Sequence, residues 1–170
     1  MPFSLLPCHT TDALTDLTPQ WVAGQGIRLL LLDFDNTVIP YTTDTVPPET
    51  EAWFQRMLDA GVQLCVVSNS HKSRAAAFCE KWGIPCITHA NKPGTRGIRA
   101  ALDRLGMPAQ QAAMVGDQIF TDTLGGNRAG VTTILVRSIN NHNFWLKVRH
   151  VLEKPFIYLA RKRRIDYEKP

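Results

Sequence analysis

A chain of 170 residues with 44% hydrophobic and 20% charged residues is long enough for one well-formed core, short for two, and too apolar to be disordered. No apolar run approaches the ~20 residues a membrane-spanning helix needs, and the opening MPFSLLPCHT lacks the basic flank and sustained apolar stretch of a secretory signal. The net charge of +4 is uneven: residues 135–170 hold nine Lys or Arg against three acidic residues, a net of +6 that leaves −2 for the remainder.

In chain order, RLLLLDF (28–34) reads as a first buried strand. Pro47 and Pro48 precede a helix, ETEAWFQRMLDA, in which Trp53, Met57 and Ala60 share a face and which Gly61 closes. VQLCVVSN (62–69) is a second strand, residues 71–82 a helix ending at Gly83, and PCIT (85–88) a short third strand. Pro93 opens a helix with Ile98, Ala101, Leu102 and Leu105 on one side and Gly106 at its end. AAMVGD (112–117) is a fourth strand, residues 120–129 a short helix, and TTILV (132–136) a fifth strand. Near-continuous apolar strands alternating with helices predict an α/β fold, a five-stranded parallel sheet with helices on both faces. The unit closes near residue 137, and residues 138–170 form a basic extension that reads as two helices broken at Pro155. Cys8, Cys65, Cys79 and Cys86 form no C-x-x-C pair and read as reduced packing cysteines, rather than a disulfide framework or zinc site.

Polar residues collect at the strand ends: Asp33 and Asp35 after the first, Ser68 and Asn69 after the second, Asn91 and Lys92 after the third, Asp117 and Asp122 after the fourth. In open α/β sheets such residues meet in a crevice at the carboxyl ends of the strands. Buried aspartates repel one another unless a cation sits among them. Hard oxygen ligands without a His or Cys cluster point to Mg²⁺, and Lys92 adds a second positive charge, so the pocket suits a phosphate. Asp33 is then placed to act as a nucleophile forming an acyl phosphate. Asp35 can protonate the leaving oxygen and later activate water.

DFDNT, a serine closing the second strand, a lone lysine before Pro93, and GDQIFTD, in that order, resemble the four motifs of the haloacid dehalogenase (HAD) phosphatases. Any one alone has a bland reading: an Asx turn, a surface lysine, a capped helix start. More narrowly, DFDNTVIPY, VVSNS, NKPG and VGDQIFTDTLGGNRAG, from about Leu5 to about Val136, are similar to the YqeG-type subfamily IIIA, a group related to mitochondrial phosphatases acting on phosphatidylglycerophosphate. The resemblance implies a Rossmann-like HAD fold over residues 1–137. It implies Asp33 as phosphoryl-accepting nucleophile and Mg²⁺ ligand, Asp35 as acid/base lending its main-chain carbonyl to the metal, and Asp117 as the third protein ligand. Thr37, Ser68 and Lys92 would hold the phosphoryl oxygens. Asp122 would stand behind Lys92 or a metal-bound water and orient it. Asn36 and Asn69 read as turn formers within reach of the phosphate. Two departures are Gln118, where many relatives of the superfamily carry a second acidic residue, and the β-branched Val38 and Ile39 after Thr37.

Thirty residues separate Thr37 from Ser68, and 23 separate Ser68 from Lys92, so neither gap holds a cap domain. An open site needs a substrate with its own bulk or a cover from another subunit; a lipid headgroup at a membrane surface, a nucleic acid end or a protein would each fit, and the resemblance implies a phospholipid headgroup such as phosphatidylglycerophosphate as the leading substrate. A protein, sugar or nucleotide phosphate is the enzymatic alternative, and a non-catalytic adaptor on the same scaffold the other. The tail KPFIYLARKRR, with Phe144 and Trp145 before it, would lie on an anionic membrane or pack on the sheet's edge with a solvated basic end. No nucleic-acid module is recognisable. The expected location is cytoplasmic, with peripheral contact at the inner membrane face. His71 and His89 fall near the predicted mouth, as substrate contacts or as surface and capping residues.

Overall fold

The computed structural model describes residues 4–43, 45–70, 73–139, 155–160 and 163–165. All strand pairs are parallel, in the order β1-β6-β5-β2-β3-β4, formed by β1 (His9–Thr11), β2 (Leu29–Leu32), β3 (Gln63–Val67), β4 (Cys86–Ile87), β5 (Ala112–Gly116) and β6 (Thr132–Val136). The five predicted strands are all present, and each of the first four is shorter than predicted because its polar end bends into a turn. The sixth, β1, corrects the five-stranded expectation. It is three residues long, only Thr11 of it is buried, and it carries no apolar run to announce it.

The strand period sorts the opening leucines onto two cores. Leu30 and Leu32 face one side with Phe34, Trp53, Phe54 and Phe78, and Leu29 and Leu31 face the other with Ile98, Ala101 and Leu102. The first layer takes α1 (Pro19–Gly24), α2 (Pro48–Asp59) and α3 (Ser73–Trp82). The second takes α4 (Arg96–Leu105) and α5 (Leu124–Ala129). Burying one aromatic such as Phe54 is worth roughly 1.5–3 kcal/mol, so this layer contributes substantially to the fold's apolar stabilisation. Trp53 also donates from Nε1 to the Leu17 carbonyl at 2.7 Å, so its one polar atom is satisfied inside the core. On α2 the buried face is Trp53, Phe54 and Met57, while Ala60 is the exposed cap. Helix α1 was not expected, although Thr18–Pro19 is an ordinary start signal: Thr18 Oγ1 accepts from Trp21 N at 3.2 Å and Pro19 needs no donor there. Helix α4 stops where Gly106 adopts φ 60°. The predicted helix 120–129 is a π-type turn, Ile119–Thr123, running into α5. The four cysteines are free thiols.

Residues 155–160 are helical, and the chain then returns to β1. Ile165 is buried and its N–H donates to the Thr10 carbonyl at 2.9 Å. Arg164 bridges Thr10 and pairs with Asp12, and Arg163 donates to Pro7 O at 2.8 Å. The ring of Phe156 meets that of Phe120 edge-on at 6.3 Å. The described part of the tail thus packs on the sheet's edge, whereas its predicted first helix, with Phe144 and Trp145, lies outside the described residues. Among the described residues no helix is long and apolar enough to cross a membrane.

Candidate active site

Strands β2 and β5 are neighbours, with Leu32 opposite Val115. The chain leaves β2 towards β3 and leaves β5 towards β6, on opposite sides, so a crevice opens between their carboxyl ends. Asp33 extends the ladder by donating its N–H to Val115 O at 2.8 Å, which sets it beside Gly116 and Asp117. After Asp33 the chain reverses. Val38 N returns to Phe34 O at 3.0 Å, and Asn36 sits at φ 64°, a conformation asparagine tolerates better than most L-residues. The Asn36 side chain accepts from Tyr41 N at 2.9 Å, closing the turn. Thr37 is thereby brought back over the nucleophile candidate, its Oγ1 3.5 Å from Asp33 Oδ2.

Lys92 reaches this point from β4's side of the sheet through an irregular loop in which His89 and Asn91 both have positive φ. Asn69 holds the loop's end. Its Oδ1 accepts from Lys92 N at 2.7 Å and its Nδ2 donates to Lys92 O at 2.9 Å. Both polar atoms of the Asn69 carboxamide are therefore engaged by the Lys92 main chain. The Lys92 side chain is 1% exposed, and its ammonium lies 2.7 Å from Asp33 Oδ1 and 2.8 Å from Asp122 Oδ1. Burial pulls its pKa down, but Asp122 and then Asp33 override that and hold it above the ordinary lysine range. Asp122 is itself buried in the π-type turn. Burial pushes its carboxyl up to about 6, against the pull of Lys92, with the Asp33 charge adding to the rise. Its Oδ2 also accepts from Gln118 N at 3.2 Å.

The structure thus brings Asp33, Thr37, Lys92, Asp117 and Asp122 together. Ser68 closes β3 next door, buried, its Oγ accepting from Ser70 N at 3.0 Å. Asp35 is half-buried, its Oδ1 3.7 Å from Arg74 Nη1. His89 is exposed beside Thr88, and His71 lies outside the described residues. Arg74 is the residue sequence reasoning missed. An arginine in the first turn of a helix looks solvent-facing, yet its guanidinium donates to the carbonyls of Pro40, Tyr41 and Thr43 at 3.0, 2.9 and 2.7 Å and lies 5.5 Å from the Phe34 ring centre.

Carboxylate oxygens of Asp33, Asp117 and Asp122 all lie within 4.8 Å of one another. Three carboxylates against one lysine leave the cluster electron-rich, and an all-oxygen donor set of this kind fits a hard divalent cation. With such an ion the site would hold a nucleophilic carboxylate, a fixed ammonium and hydroxyls around a dianion.

The HAD-hydrolase-like family matches residues 89–148. The chain is 30% identical over 165 residues to the probable phosphatase YqeG of Bacillus subtilis strain 168, an alignment covering 96% of each. It is 33% identical over 124 residues to the chloroplastic phosphatidylglycerophosphate phosphatase 1 of Chlamydomonas reinhardtii, covering 67% of this chain and only 46% of that protein. The cobalt-bound deoxy-D-mannose-octulosonate 8-phosphate phosphatase of Haemophilus influenzae has the same fold, with a TM-score of 0.56 at 13% identity over 82% of this chain and 92% of that one. So has a 3-deoxy-D-manno-octulosonate 8-phosphate phosphatase of Moraxella catarrhalis, solved with magnesium and phosphate ions and KDO (TM-score 0.51, 14% identity, 85% of this chain and 96% of that one). The structural likenesses establish the architecture, and the identity sustained from end to end establishes kinship: the chain belongs to the HAD-superfamily phosphatases, in the YqeG-type group.

Proposed function

We propose that the chain hydrolyses phosphate monoesters in a Mg²⁺-dependent reaction through a phosphoryl-aspartate on Asp33, and that its substrate is a phospholipid headgroup of the phosphatidylglycerophosphate type. The observation that carries the reading is the convergence of Asp33, Asp117, Asp122 and Lys92 at one crevice. The carboxylates of Asp33 and Asp117, with the main-chain carbonyl of Asp35, would hold the ion; bound there, it offsets the negative charge of the phosphoryl group and of its attacker. Lys92, Thr37 and Ser68 grip the phosphoryl oxygens, with Asn69 keeping Lys92 in place. The Asp33 carboxylate attacks phosphorus while Asp35 gives its proton to the departing alcohol oxygen. Asp35 then takes a proton from water as that water attacks phosphorus, and inorganic phosphate leaves with Asp33 restored.

The lipid assignment draws support from the names of the C. reinhardtii and Arabidopsis thaliana phosphatidylglycerophosphate phosphatases, although the chain spans only 46% of each. The short segments between the strands also favour it: among the described residues one helix and one strand lie between Thr37 and Ser68, and one helix and one strand between Ser68 and Lys92, with no domain there to close over a small substrate. The basic tail would bring the open crevice to an anionic membrane surface from the cytoplasmic side, each basic residue near it adding about 1 kcal/mol. The test is turnover of a phosphoester panel, including phosphatidylglycerophosphate in mixed micelles, with Mg²⁺ and with EDTA. The expected result is Mg²⁺-dependent phosphate release, greatest on the lipid and lost in Asp33→Asn. Release from no ester would overturn the enzymatic reading, and preference for soluble esters would overturn the lipid one.

A further inference from the structure

Arg74 has no part in the proposal above, yet it joins three pieces of the site. Its own helix α3 begins just after Ser68, Asn69 and Ser70. Its two terminal nitrogens take the carbonyls of Pro40, Tyr41 and Thr43 from the loop that continues the Asp33 turn. That loop's residues 41–43 are exposed, and Tyr41 is tied back to Asn36. The guanidinium also lies against the ring of Phe34, the residue between the two aspartates, and 3.7 Å from the Asp35 carboxylate. The Arg74 side chain is only 14% exposed, although the loop carbonyls of Tyr41 and Thr43 that it holds lie at the surface. A guanidinium whose donors are fixed on main-chain carbonyls is an immobile charge, and a carboxylate beside it loses rotational freedom. A separation of 3.7 Å exceeds a hydrogen bond, and acid/base contacts of this length in a free enzyme commonly shorten in the complex.

We infer that Arg74 is a positioning residue for the leaving-group half of the reaction: it locks loop 40–43 to α3 and, from that anchorage, sets the direction in which the Asp35 carboxyl faces the departing oxygen. The inference rests on the acid role proposed for Asp35. It predicts an effect that depends on the leaving group. An alkoxide needs a proton as it departs, whereas p-nitrophenolate leaves without one.

The experiment compares kcat and KM of the Mg²⁺-loaded protein for glycerol phosphate and for p-nitrophenyl phosphate, in the parent, Asp35→Asn, Arg74→Lys and Arg74→Gln, with circular dichroism confirming the fold. Asp35→Asn should lower kcat on the alkyl ester at least ~100-fold more than on the aryl ester, since general acid catalysis is worth about 10²–10⁴. Both Arg74 variants should show the same bias, at least ~10-fold, and Lys, which keeps the charge without the planar fork, the smaller loss. In the Asp35→Asn background, Arg74→Lys should add no further bias. If Arg74→Lys and Arg74→Gln depress both esters equally while Asp35→Asn is biased, the inference fails and the proposed chemistry stands. If Asp35→Asn is unbiased, the acid role falls, and this inference with it. Gln serves should the Lys variant not fold.

Discussion

Adding a single methyl group at Gly116 should disable the site without replacing any of its charged groups. Gly116 ends β5 with an ordinary backbone conformation, so alanine meets no torsional objection. A Cβ there, however, would fall inside contact distance of Oδ2, Cγ and Cβ of Asp122. Asp122 cannot retreat freely, because its carboxylate is 2.8 Å from Lys92 Nζ and 3.2 Å from Gln118 N. Overpacking costs about 1–3 kcal/mol, and a lost hydrogen bond to a charged group costs about 1.5–3 kcal/mol. With partial relaxation the total should be roughly 2–4 kcal/mol, which for a chain of this size lowers Tm by about 5–15 °C. Displacing Lys92 by about 1 Å should reduce kcat by up to ~100-fold. Differential scanning calorimetry and p-nitrophenyl phosphate turnover measure the two effects. Gly125→Ala is the control, since its Cβ would meet Pro93 and Ile98 only at 3.4–3.5 Å. A Gly116→Ala protein that melts within about 2 °C of the parent and turns over normally would refute the packing of Asp122 against β5.

Other consequences are as direct. Asp33→Asn should abolish turnover and leave the melting temperature nearly unchanged, because Lys92 keeps Asp122 as its partner; calorimetry and phosphate release check both. Lys92→Met leaves two buried carboxylates without their counter-charge and should cost about 3–5 kcal/mol, part of it recovered when Mg²⁺ is added before the thermal melt. Asn69→Ala removes both side-chain bonds to the Lys92 main chain and should lower kcat/KM roughly 10-fold, with a stability loss of about 1 kcal/mol by urea unfolding. Thr18→Ala removes the cap of α1 and should cost about 1 kcal/mol with no change in kcat, since the helix lies away from the crevice.

Much of this was legible because two sequence signals coincide. The run Leu29–Leu32 declares a strand buried on both faces, and polar residues immediately after such a strand have only the crevice to face. The same logic found Ser68, Lys92 and Asp117. Arg74 escaped it because its partners are main-chain carbonyls, which no residue type reveals, and because the loop at 40–43 is recognisable as a partner only once folded. Asn69 was expected near the phosphate, yet its polar atoms are engaged by Lys92's main chain across a sequence gap of 23 residues, a pairing that no local pattern encodes. Strand β1 and the return of Ile165 were hidden for a related reason. A three-residue edge strand gains its stability from the neighbours it pairs with, so its own composition is uninformative.

That return has a practical side. With β6 on one flank and the Arg164–Ile165 segment on the other, β1 offers less open ladder to another molecule, and that segment acts as a guard against edge-to-edge association. Shortening the C-terminus would therefore strip the guard together with the positive charge, and a truncated protein would invite self-association that mimics loss of the membrane contact proposed above. Swapping Arg161 and Lys162 for glutamine, which removes positive charge without shortening the chain, separates the two effects.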